Sequence, residues 1–96
     1  MSYRVILSPD AKAGIRSAIR WYVQWDKELR ARFESDLKAI LERIAQHPGE
    51  FRLIRGPVRR ALMKRFPYAV YFILSGGVAL VVGVEHQRRF NPLNRP

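Results

Sequence analysis
The sequence predicts an α+β domain: a small, mostly antiparallel sheet with two helices on one face, in the order strand, helix, helix, strand, strand, strand (β-α-α-β-β-β). Three observations lead there. Apolar residues recur at helical spacing in two successive blocks between Ala11 and Ile44; the pattern turns extended after Glu50; and two apolar runs flank the pair Gly76 and Gly77. The 96 residues are expected to form one domain, residues 1–96, with a single modest core.

Tyr3 to Leu7, "YRVIL", is bulky and β-branched and predicts the first strand. In "SPDAK", Ser8 suits an N-cap, Pro9 the first helical position, and Asp10 the positive end of the helix dipole. The first helix carries a core-facing stripe of Ala11, Ile15, Ala18, Ile19, Tyr22 and Trp25. Asp26 is a second candidate cap, opening a helix whose stripe is Leu29, Phe33, Leu37, Ile40, Leu41 and Ile44. A short connection makes the two helices an antiparallel hairpin. Their acids Glu28, Glu34, Asp36 and Glu42 read as a solvated face. Pro48 and Gly49 end the second helix. Beyond an irregular approach segment and the break at Gly56 and Pro57, Val58 to Lys64 predicts a strand. "YAVYFIL" and "VALVVGV" then pair across Gly76 and Gly77, which supply the positive φ of a tight turn.

A sheet covered on one face should alternate apolar with polar, and this hairpin does not. Tyr68, Val70, Phe72 and Leu74 oppose Ala69, Tyr71 and Ile73; Val78, Leu80, Val82 and Val84 oppose Ala79 and Val81. Two helices cover only one face, so the second needs a partner chain, a dimer mate or its own curvature.

Charge is equally uneven. Residues 1–50 hold nine Lys or Arg against seven Asp or Glu, whereas residues 51–96 hold nine against Glu85 alone, which puts +8 of the net +10 in the second half. Such a field attracts polyanions or acidic protein segments. The absence of cysteine excludes disulfides, thiolate metal sites and cysteine nucleophiles. Two distant histidines make no metal site, and the glycine pair lies in a hairpin, not in a phosphate loop before a helix. No cofactor is expected. Neither a signal segment nor a membrane span is apparent, which predicts a soluble, unprocessed, cytoplasmic protein. Cleavage of RNA would require a proton acceptor or donor among cations. His86 is the one candidate so placed, beside Arg88 and Arg89, with Arg59, Arg60 and Arg65 as phosphate clamps.

The pieces "SPDAKAGIRSAIRWY", "RIAQHPGEF", "VRRALMKRFPYAVYFIL" and "VGVEHQRR" together resemble the RelE/ParE superfamily of type II toxin-antitoxin toxins, over nearly the whole length and closer to ParE. The resemblance implies a curved sheet backed by a helical hairpin. It implies inhibition of DNA gyrase by binding, and neutralisation by an antitoxin whose acidic, amphipathic C-terminal segment covers the toxin. Plasmid stabilisation and assembly into a dimer or larger toxin-antitoxin complex fit the same picture. Residues implied in target or antitoxin binding are Arg59, Arg60, Lys64, Arg65, Tyr68, Tyr71, His86, Arg88 and Arg89. Two alternatives stand beside it: a RelE-like mRNA endoribonuclease acting on ribosomal or free message, and a non-toxic basic nucleic-acid-binding module. Two features depart from the pattern: no tyrosine follows Tyr71, and the ending "RRFNPLNRP" lacks the closing tryptophan frequent in ParE-like chains.

Overall fold
The computed structural model describes residues 2–88. Strand β1 (Arg4–Leu7) leads into helices α1 (Pro9–Val23) and α2 (Glu28–Gln46), a single 3₁₀ turn at Pro48–Glu50, and strands β2 (Arg52–Arg55), β3 (Val58–Leu62), β4 (Tyr68–Ser75) and β5 (Val78–His86). They form one sheet in the order β1-β5-β4-β3-β2, with β1 parallel to β5 and every other pair antiparallel.

The caps act as their chemistry requires. Ser8 Oγ accepts from the Ala11 N–H at 3.0 Å, with Pro9 opening α1. Asp26 Oδ1 accepts from the Glu28 N–H at 2.9 Å and so satisfies an N–H at the start of α2. Between the helices, the Trp25 and Asp26 N–H groups both donate back to the Tyr22 carbonyl. That tight turn ends α1 at Val23, and Trp25 leaves the expected stripe to stand 71% exposed.

The sheet has five strands where four were expected. Arg52–Arg55, read from sequence as an irregular approach, pairs with β3 through a turn at Gly56, whose φ is +52°. Its four residues, two of them arginine, were too few to show a period of two. Charged side chains also suit an edge strand, since they discourage further pairing.

A second correction concerns which β5 residues share a face. Tyr71 pairs with Gly83 but Phe72 with Val81, so Val82 is an extra residue and β5 carries a bulge. The bulge shifts the alternation by one residue. Ala79, Val81 and Val84 consequently all join the buried core, whereas Leu80 is exposed and Val82 half-buried. Strict alternation had wrongly grouped Val84 with Leu80.

The helices pack on this face around an aromatic centre. Phe33 lies fully buried with its ring centroid 5.1 Å from Phe66, 5.4 Å from Tyr68 and 6.0 Å from Tyr22, mostly edge to face. α1 lies so close to β5 that a Cβ at position 14 would overlap the Val84 carbonyl oxygen. Only glycine permits that approach.

Asp36 is the third correction. It is buried among the apolar side chains of α2, and its Oδ2 accepts from the main-chain N–H of Arg65 at 2.9 Å, latching the β3–β4 connection to the helix. Its spacing looked solvated because the loop that covers it arrives from far along the chain.

Gly14→Ala should destabilise the domain by about 1–3 kcal/mol through overpacking, although the same change in a free helix stabilises it. Asp36→Ala should cost about 1–3 kcal/mol by leaving the Arg65 N–H without its partner. Urea unfolding of both variants checks the two values.

Candidate functional site
The candidate binding residues of the basic second half are distributed over three places. On the helix-facing side of β3, the half-buried Arg59 donates from Nη1 to the Phe51 carbonyl at 2.7 Å and ties the strand to the turn before β2. Arg60, one residue on, faces the opposite side and pairs across the sheet with Tyr71, to which its side chain hydrogen-bonds. Glu85 acts on the same tyrosine.

Lys64 and Arg65 form the second place, in the β3–β4 connection. With Arg32, Ser35 and Asp36 they line a hollow of about 420 Å³ beside α2. The third place is the end of β5. Tyr68 and His86 are cross-strand partners with ring centroids 5.5 Å apart, and His86 Nδ1 accepts from the Arg88 N–H at 3.2 Å. Arg88 is exposed; Arg89 lies outside the described residues.

The four residues of the nuclease reading are therefore not assembled. Arg59 pairs with Phe72 and His86 with Tyr68, a separation of roughly 13 Å along β4 at about 3.3 Å per residue. Arg60 faces away from both, and Arg65 belongs to the connection near α2. No group of three or more His, Asp or Glu that could hold a metal occurs among the described residues. Nor is any described helix long and apolar enough to cross a membrane.

Two adjoining clefts flank α1. One, of about 700 Å³, runs between Asp10, Gly14 and Ser17 of α1 and the β2–β3 turn at Arg55 to Val58, with Val82 to His86 along its length. The other cleft, of about 530 Å³, holds Arg20, Trp21, Gln24 and Arg88 and shares Ser17, Tyr68 and His86 with the first. Sequence reasoning missed Arg20 and Trp21. The available signal was Trp21 itself, a large apolar residue that falls between stripe positions Ile19 and Tyr22.

The model of the ParE toxin of the type II toxin-antitoxin system parDE matches residues 5–90. The chain belongs to the ParE toxin family. That span contains every candidate binding residue from Arg59 to Arg89, and Trp21 and Arg20 as well. Among solved structures, the chromosomal ParDE toxin-antitoxin system from P. aeruginosa superposes with a TM-score of 0.78 at 15% identity, covering 88% of this chain and 95% of that one. At that identity the likeness is one of fold. No curated protein matches the chain. As a ParE-family toxin, the chain takes an antitoxin as its partner class.

Two tyrosines of this region titrate high. Burial raises the Tyr71 hydroxyl above the ordinary value of 10.0, with Arg60 opposing and Glu85 adding to the rise. Burial and then Tyr68 raise Tyr22. The folded state thus holds these protons more tightly than the unfolded chain. Stability is complete below about pH 10 and is lost as pH rises through the raised folded values. Tyr22→Phe and Tyr71→Phe together should flatten that loss, measured by urea unfolding between about pH 8 and 11.

Proposed function
We propose that this chain is the toxin of a toxin-antitoxin pair that inhibits DNA gyrase by binding it, without chemistry of its own. An antitoxin with an acidic, amphipathic C-terminal segment holds it inactive. One observation carries the preference for binding over cleavage: Arg59, Arg60 and Arg65, the phosphate clamps of the nuclease reading, lie in places separate from His86, and Arg59 is committed to a main-chain carbonyl. The +8 of the second half supports an acidic partner. The uncovered apolar residues of the outer sheet face, Leu62 at 48% and Leu80 at 37% exposed, support one that is also amphipathic. An antitoxin segment that orders on binding offsets its entropy by burying this surface.

Inducible expression of the chain alone in bacteria, with growth, plasmid supercoiling and bulk translation followed together, tests the reading. Growth arrest with altered supercoiling and intact early translation is the expected outcome, and His86→Ala should retain it. Immediate loss of translation, abolished by His86→Ala, would instead establish a nuclease. Unimpaired growth would remove the toxin assignment for this chain.

A further inference from the structure
The C-terminal end of α1 shows a pair of large side chains that the core does not use. Trp21 is 53% exposed and Trp25 is 71% exposed, and their rings meet edge to face with centroids 6.1 Å apart and planes inclined by 70°. Trp21 lines the cleft of about 530 Å³ with Ser17, Arg20, Gln24, His86 and Arg88. No carboxylate lines it, and neither Arg20 nor Arg88 forms an ion pair among the described residues. Its charged side chains, Arg20 and Arg88, are both positive.

We infer that this cleft binds single-stranded DNA, with bases stacked on Trp21 and Trp25 and phosphates held by Arg20 and Arg88. The choice of DNA rests on the gyrase reading above, in which the target itself carries DNA. Three features favour a nucleic-acid strand over an acidic peptide. An indole face gains from the π-face of any base but gains little from a carboxylate. The rings are inclined to each other and so offer two stacking faces in different directions, which suits successive bases splayed along a strand. Ser17 and Gln24 supply donors and acceptors for base edges, where a peptide helix would need a closed apolar pocket that two exposed rings do not form. Cations spaced around aromatic platforms are the usual recipe for sequence-tolerant strand binding.

The test is direct because Trp21 and Trp25 are the only tryptophans in the chain, so tryptophan fluorescence reports on this pair alone. Titrating the full chain with an eight-residue oligothymidine should quench that fluorescence. The affinity should fall with salt at a log–log slope of about −1.4, the value for two phosphate contacts on a single strand. Anisotropy of the labelled oligomer should show about tenfold weaker binding for Trp21→Ala and near-normal binding for Trp21→Phe, which keeps a stacking ring. Arg20→Ala should reduce the salt slope by about half. Both positions are exposed, so the variants should fold, and circular dichroism verifies it. No quenching at low salt, tighter binding of an oligouridine, or equal binding of a polyglutamate peptide would overturn the inference. Supercoiling assays on the same preparations separate the two readings: gyrase inhibition without oligomer binding overturns this inference alone, whereas oligomer binding without inhibition overturns the gyrase reading.

Discussion

The close approach of α1 to β5 is the contact on which the rest of the molecule depends. Gly14 presents no side chain to the Val84 carbonyl oxygen, so helix backbone and strand backbone nearly touch. The bulge at Val82 makes this contact useful. By shifting the alternation, it sends Ala79, Val81 and Val84 into one core with Phe33 and Phe72. The same shift leaves Leu80 on the outer face. Without the extra residue, the far half of β5 would present its other edge to α1, and the clefts lined by Ser17, Tyr68 and His86 would lose their common wall.

Two charged residues are tied to the main chain of the fold. Arg59 spends a donor on the Phe51 carbonyl, and Asp36 is buried to hold the Arg65 main chain. Each satisfies a backbone group that would otherwise be stranded at the border of the core, which costs free energy if left unpaired. With those residues committed, the groups open to a partner include the exposed cations Arg20, Lys64, Arg65 and Arg88 and the apolar side chains Leu62 and Leu80 of the outer face. The molecule is thus a scaffold that displays charge, and its likeness in fold to a chain of a ParDE toxin-antitoxin system at 15% identity reflects how weakly such a scaffold constrains individual residues. Packing and periodicity must be kept; most identities need not be.

Much of this was legible in the chain itself. The Ser8 cap, the two helical stripes, the Gly76 and Gly77 turn and the order of elements follow from local rules, because each depends on residues within a few positions of one another. The concentration of positive charge, and with it the expectation of an acidic partner, also needed no coordinates. What escaped was non-local. β2 exists only because β3 lies beside it, Asp36 is buried only because a loop 29 residues away covers it, and Arg59 stands apart from His86 because sheet register, not sequence distance, sets which side chains meet.

The sequence by itself therefore determined the fold class, the family and the sign of the surface, since composition, period and caps are short-range properties carried by the residues alone. Only the tertiary structure decided which cations are spent on the fold, where the β5 faces change over, and that Trp21 and Trp25 stand outside the core beside Arg20 and Arg88. The physical reason is the same in each case. A one-residue bulge and a tight turn between helices redirect whole sets of side chains, and neither leaves a mark in the hydrophobic pattern.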